Sequence, residues 1–426
     1  MRRRGADAPT RAAPALVFLL SALGGCTGER SSSAFAVVDS AGVQIVTNGP
    51  ASLESAEEWA LSPDPVVNVG SGASPDVALF RVVAVTPLDR GRVAIGMTAP
   101  PQVLIANSDG TRAVTLGREG DGPGEFAGVS SVVRIEPDSL AVWDAERRRI
   151  SVFTEDGRLQ REVPLGNLAP LSWIASPNVL VESGRIYLLP SGPGSFLLLG
   201  VGVFGPGEGV RRVAVPSFRV TTDGTLIDEV GRFPGETTFS STQTGTAPYP
   251  LGPDTHGASL GDQLVVGTAD LAEYRRYSGA GAPEQIVRWP EPDTLLTESD
   301  TDAWEGFLGT WLGGMPPQEA ASIREILEAM PEPARRPAYT GLITSDTGQT
   351  WVGDYFPGQL ELSAAYMGRM RVPARRWLVF GEDGALVATA HIPAGFRPFE
   401  VRNGMVWGVF TDELDVESVR AYELLR

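Results

Sequence analysis

The side chains able to do chemistry in this chain are few and scattered. Its two histidines, His256 and His391, stand far apart, and two are too few for a multi-histidine metal site. Each reads as an ordinary surface or turn residue. Gly257-Ala258-Ser259-Leu260-Gly261 matches the G-x-S-x-G string that presents a nucleophilic serine. That elbow needs a strand before it and a helix after it. Here a loop precedes and a strand over Gln263–Gly267 follows, so the match reads as chance. Asp300 and Asp302 suggest a calcium loop only faintly, because the other oxygen ligands and the loop glycine are missing. Four glycines in Gly117–Phe126 could cradle an anion on backbone amides. Glu119, Asp121 and Glu125 would repel a phosphate there, and no helix follows. A crossover with Phe126 packed between sheets is the stronger reading. No metal-ligating set emerges, and no cofactor is indicated.

Composition narrows the chemistry further. All 35 basic residues of the 426 are Arg, with no Lys. This removes Schiff-base, P-loop and Ser-x-x-Lys chemistry, each of which needs an amine. A net charge of −17 speaks against binding a nucleic-acid backbone. One Cys, Cys26, excludes an intrachain disulfide and a zinc–thiolate cluster.

The elements that would position any site repeat along the chain. An alternating strand, an Asp-Gly turn and a second strand recur around Asp109-Gly110, Asp156-Gly157, Asp223-Gly224 and Asp383-Gly384, with a degenerate copy at Ser278–Gly281. Asp-Gly between period-2 strands predicts a hairpin with a type I′ turn. Another short strand pair precedes each, such as Ser131–Ile135 with Leu140–Trp143. Four antiparallel strands per repeating unit are the mark of a propeller blade. Turn spacings of 47, 67, about 57 and about 103 residues fit a unit near 47 with insertions. The last unit stops after its third strand. The hairpin Phe35–Asp39 and Val43–Thr47 is expected to supply the missing outer strand. The reading is all-β: a six-bladed β-propeller of four-stranded antiparallel blades, its last blade closed by an N-terminal strand, with seven blades as the competing count. Trp143 is expected in a blade core.

Residues 1–26 have the parts of a secretory signal: Arg2, Arg3, Arg4 and Arg11, then apolar Ala12–Leu23, then Leu23-Gly24-Gly25-Cys26. The last four resemble the bacterial lipobox, which implies lipidation of Cys26. With Thr27 following, the resemblance implies an extracytoplasmic lipoprotein, outer-membrane anchored and facing the periplasm or the surface. The expected domains are a signal peptide (1–25), a polar tether (26–35) and the propeller (36–426). Removing the four Arg and one Asp of residues 1–25 from the 35 and 52 leaves 31 and 51, a net charge of −20. Gly117–Phe126, Ser139–Asp144, Arg149–Phe153, the opening Val38–Val46 and the closing Val406–Phe410 resemble bacterial six-bladed β-propeller lipoproteins related to the NHL-repeat and TolB-like group. The resemblance implies a fold more than an activity.

Insertions fall on one side. Ser191–Pro216 and Phe356–Arg375 separate second from third strands, and Gly117–Gly128, Phe233–Thr255 and Pro290–Pro337 separate blades. In antiparallel blades both loop classes leave by the same face. A helical insertion is expected around 297–331. Trp304, Phe307, Leu308 and Trp311 share one helical stripe, and Ile323, Ile326, Leu327 and Met330 another. The pair either packs its stripes on the rim or on each other, or forms a lid over the mouth of the channel. The candidate ligand-face residues are Asp121, Glu125, Asp144, Arg147, Arg148, Asp354 and Tyr355. Arg147-Arg148-Arg149 is the densest basic run after the signal. The expected function is a lipid-anchored binding or scaffold module for a protein, peptide or glycan. The alternative is an NHL-like lyase or hydrolase with a carboxylate or metal site in the channel.

Overall fold

A computed structural model describes residues 34–70, 77–136, 138–165, 186–192, 194–200, 208–243, 245–249, 251–356 and 372–426. The expected signal peptide, Cys26, most of the tether and most of the segment 356–375 lie outside them.

The chain opens with β1 (Phe35–Ser40), β2 (Val43–Asn48), the short helix α1 (Pro50–Ser55), β3 (Glu57–Leu61) and β4 (Val67–Val69). A first strand set follows: β5 (Val82–Pro87), β6 (Val93–Thr98), β7 (Pro101–Ala106) and β8 (Arg112–Leu116). The second holds β9 (Val129–Glu136), β10 (Ser139–Asp144), β11 (Arg149–Thr154) and β12 (Leu159–Pro164). The third holds β13 (Ile186–Pro190), β14 (Ser195–Gly200), β15 (Gly209–Thr221), β16 (Leu226–Ser241) and β17 (Gly245–Pro248). The fourth holds β18 (His256–Leu260), β19 (Gln263–Gly267), β20 (Glu273–Tyr277) and β21 (Pro283–Arg288). Helices α2 (Glu298–Gly313) and α3 (Pro317–Glu328) then intervene. The fifth set is β22 (Tyr339–Thr344), β23 (Thr350–Asp354), β24 (Arg375–Phe380) and β25 (Leu386–Ile392). The sixth is β26 (Phe396–Arg402), β27 (Met405–Thr411) and β28 (Glu417–Leu425).

Within each set the strands pair antiparallel in chain order. The first strand of each set packs on the first strand of the next, and β26 returns to β5, which closes the cycle. The cores lie between neighbouring sets. Phe126 and Phe153 meet Ile105 between the first and second, and Trp143 meets Phe196 between the second and third. Leu199 meets Val266, Tyr274 meets Phe380, and Trp377 meets Phe396. Trp407 meets Ile95 and completes the round. A strand buried on both faces must be apolar at nearly every position. β6, β10 and β14 are buried almost throughout. This is a β-propeller, and Trp143, 1% exposed, lies in its core as expected.

Two expectations need correction. The sixth set is closed by β4, not by the N-terminal hairpin: Val69 pairs with Val419, and Val67 with Ala421. β2 instead runs parallel to β21 at the edge of the fourth set. Buried Val46 and Asn48 hold it there. The Asn48 amide donates to the Arg288 carbonyl (3.1 Å) and the Gly384 carbonyl (3.0 Å), and its oxygen accepts from Leu386 N–H (2.8 Å). β3 likewise adds parallel to β25. The second correction concerns the hairpins. Only the glycine is left-handed, with φ of +82° at Gly110, +96° at Gly157, +89° at Gly224 and +82° at Gly384, and the preceding Asp residues are not. Each glycine N–H donates three residues back, as from Gly157 to the Thr154 carbonyl (3.0 Å). The ladder slips by one residue beside each turn. These are type I turns followed by a left-handed bulge residue.

Candidate binding face

Second-to-third and set-to-set connections leave by one face, and the tight Asp-Gly turns leave by the other. The first is called the loop face here. The insertion expected at Ser191–Pro216 is not one loop: β14 and part of β15 occupy it. β15 and β16 outrun their sheet, because β14 reaches β15 only at Phe218–Thr221 while β15 and β16 continue pairing to Gly209 and Ser240. The overhang is a ribbon on the loop face, widened by β17, which pairs with β16 at Thr238–Ser241. Arg212 ties it to the fourth set through the Thr268 carbonyl (2.9 Å) and an ion pair with Asp270, and it also donates across the ribbon to the Gly235 carbonyl of β16 (2.7 Å). Tyr249 donates to the Pro331 carbonyl (2.8 Å) and so joins this region to the helical insertion.

Both helices form where their patterns placed them. Thr297 caps α2: its hydroxyl accepts from Asp300 N–H (3.3 Å), while the Asp300 carboxylate accepts from Thr297 N–H (2.9 Å). This reciprocal cap buries Asp300 and accounts for its place in the sequence without a metal.

The seven candidate residues fall into two groups. In the first, the crossover 117–128 is latched onto the second set. The Asp144 carboxylate is fully buried and accepts from the N–H groups of Ala127 (3.0 Å), Gly128 (3.2 Å) and Arg147 (3.1 Å). Arg147 bridges Asp144 (3.3 Å) and the exposed Asp121. These bonds, Asp121's first, raise the Arg147 pKa against a burial that lowers it. Glu125 accepts from Gly122 N–H (2.7 Å) and from Arg118 (2.8 Å), which lowers its carboxyl below the usual range. Arg149 completes the latch on Glu162 (2.9 Å) and on the Glu125 carbonyl (2.5 Å). Arg148 supplies a left-handed turn residue, φ +51°. Asp144, Glu125 and Arg147 thus hold the crossover in place. Gly117, φ +63°, permits it, since a Cβ there would stand 2.3 Å from both the Gly124 carbonyl and the Phe126 ring.

In the second group Asp354 pairs with Arg376 (2.9 Å). The Tyr355 ring carries the Arg336 guanidinium on its face, 4.7 Å from the centroid. Burial, aided by the Asp300 charge, pushes the Tyr355 hydroxyl above its ordinary value, so it stays protonated. Next to it Arg375 stacks between Phe356 (5.0 Å) and Trp377 (4.9 Å) and donates to the Thr340 carbonyl (3.2 Å). Burial first, and then the Arg397 charge, bring Arg375 down to about 10, so it remains cationic at neutral pH. Among the described residues no hydrogen bond or ion pair joins the two groups.

Sequence reasoning missed Arg336, Arg375 and Arg397, although Arg375-Arg376 next to Trp377 was an available signal for arginine stacking. It also missed the apolar part of the loop face. Phe80, Val210, Leu271, Leu295, Leu414 and Val416 are exposed on loop-face connections or the ribbon, with Leu414 at 83%. Among the described residues no three His, Cys, Asp or Glu side chains gather at metal-binding spacing. His256 is buried against Tyr339 (5.9 Å between rings), and His391 is exposed on β25. The Gly257–Gly261 string lies in β18 and its turn, with no helix after it. No helix among the described residues is long and apolar enough to cross a membrane.

No protein-family profile matches the sequence, and no curated protein does. Among solved structures the chain is similar to a candidate exported protein from Bacteroides fragilis, at 11% identity and a TM-score of 0.48, covering 90% of this chain and 99% of that one. It is similar to virginiamycin B lyase from Staphylococcus aureus, at 11% identity and 0.41, covering 86% and 99%. It is similar also to regucalcin, a calcium-binding protein from Agrobacterium tumefaciens, at 9% identity and 0.41, covering 86% and 97%. The propeller assignment stands on the strand order and the cyclic packing of the chain itself.

Proposed function

We propose that this chain is a lipid-anchored, extracytoplasmic, six-bladed β-propeller that binds a protein, peptide or glycan ligand on its loop face and performs no chemistry there. The blade count is supported by the closed cycle of first strands from β5 to β26. The anchor is supported by the signal-like segment ending in the single Cys26. The binding role rests on one observation: the ribbon, the helical pair and the exposed Phe80, Leu271, Leu295 and Leu414 share one face. A scaffold that displays apolar side chains on its connections is built for recognition. The charged candidates Asp144, Glu125 and Arg147 serve it indirectly, by fixing the crossover from which Asp121 and Arg118 reach solvent.

Native mass spectrometry with metal analysis, on protein taken from its own membrane, tests this reading. A co-purifying macromolecule or oligosaccharide, lost on Leu271→Asp with Leu414→Asp, is the expected result. A stoichiometric metal ion whose removal abolishes turnover of a small molecule would overturn it.

A further inference from the structure

The anchor reading leaves open how the propeller meets the lipid surface, and β1 bears on that. β1 is exposed at every residue. Among the described residues it pairs only with β2, two strands beyond the fourth set. Phe35, Val37 and Val38 are 40%, 51% and 59% exposed. Alternation along a strand puts Phe35 and Val37 on one side and Val38 on the other, so both sides of this edge are apolar. The single charge of the strand, Asp39, lies at the far end by the turn. Edge strands are ordinarily blunted by charge or covered. This one does the reverse at the end nearest the tether.

The exit point is fixed. The Ala34 carbonyl accepts from Gly49 N–H (2.9 Å) and from the Ser52 hydroxyl, so α1 pins the chain immediately before Phe35. Eight residues lie between Cys26 and Phe35. The nine Cα–Cα steps from Cys26 to Phe35 reach roughly 30 Å at most. An acylated Cys26 would therefore hold β1 within a short distance of the headgroups at all times, where even a weak apolar contact is populated by effective concentration.

Resting on the anchor reading, we infer that the β1 edge is the membrane-docking surface: Phe35, Val37 and Val38 enter the lipid interface, and the propeller sits with the rim of its fourth set on the bilayer. A lipid interface suits this edge because it covers both sides of the strand at once. Pairing with another strand would cover the backbone edge and leave the side chains on both sides exposed.

The test uses the acylated full chain reconstituted in phosphatidylcholine vesicles. Cys26 is the only native thiol, so Val38→Cys and, separately, Leu414→Cys each offer one site for a fluorophore. Loss of aqueous iodide quenching at position 38 on reconstitution, with quenching kept at position 414, is expected. Adding Phe35→Asp and Val37→Asp should restore quenching at 38. Undiminished quenching at 38, with the acyl group on Cys26 seen by mass spectrometry, overturns the docking inference alone. An unmodified Cys26 overturns the anchor reading and the docking with it. Protection at 38 that appears without vesicles and grows with protein concentration assigns the edge to a second copy and also overturns the inference.

Discussion

Single side chains in this protein work mainly as fixtures, and the all-Arg basic set shows why. Arg134 grips Asp89 through two bonds (2.9 and 2.6 Å), and Arg375 lies between two aromatic rings. A lysine could do neither. Charged residues in loops were legible in the sequence, but their use was not. Asp144 and Arg147 stand where a ligand contact was expected and spend their bonding capacity on the crossover. Spacing alone does not say whether a carboxylate faces solvent or three backbone amides. Glu417 carries a pH signature. Its carboxylate is buried and accepts from Val82 N–H (2.9 Å). Burial pushes its pKa up, against that hydrogen bond and the charges of Arg397 and Arg81. A carboxyl raised on folding stabilises the fold when protonated, so its contribution is full below the ordinary carboxylate range and is lost as pH rises through the raised value. Glu417→Gln keeps an acceptor and removes the charge. Its Tm should exceed the parent's by a few degrees near neutrality, and the gap should close on acidification. A gap independent of pH would contradict this origin.

The hairpin is the recurrent element, and its physics explains both what the sequence told and what it hid. Asp-Gly between alternating strands located the turns. The turn type differs because the Asp side chain supports a right-handed residue: Asp109 accepts from Thr111 N–H (2.9 Å), and Asp383 from Ala385 N–H (3.0 Å). The glycine alone needs φ > 0. It has a second duty invisible in sequence. A Cβ on Gly157 would meet Val114 at 2.8 Å, one on Gly224 would meet Val163 at 2.4 Å, and one on Gly384 would meet Val287 at 2.8 Å. Each valine is on the outer strand of the preceding set. The turn glycine therefore lets one sheet seat on its neighbour. Gly224→Ala combines left-handed strain with this overlap, and a loss of about 1–3 kcal/mol in chemical unfolding is expected. Gly42 has the same handedness, φ +86°, with no atom within 4 Å. Gly42→Ala should cost about 1 kcal/mol, from strain alone. Equal losses at the two sites would refute the packing role.

At the scale of the whole molecule the sequence disclosed the repeat but not the closure. A three-residue strand such as Val67–Val69 is too short to register as a period, while the hairpin before it is long and regular. Which edge a strand joins depends on buried partners distant in sequence, here Val46 and Asn48 at the fourth set. The closing contact between β4 and β28 seals the core around Trp407. Val67→Ala with Val69→Ala should cost about 2 kcal/mol per site and raise amide exchange in β28 before β14. Uniform exchange across sets would argue against β4 as the closing strand. Closure also fixes which connections share a face, and the proposed function depends on that sharing. The most direct test is cross-linking of the protein in its native membrane preparation, with the linked residues mapped by mass spectrometry. The loop face predicts links near Phe80, Leu271, Leu295 and Leu414. Links concentrated instead at the Asp-Gly turns, near Asp109, Asp156, Asp223 and Asp383, would contradict it.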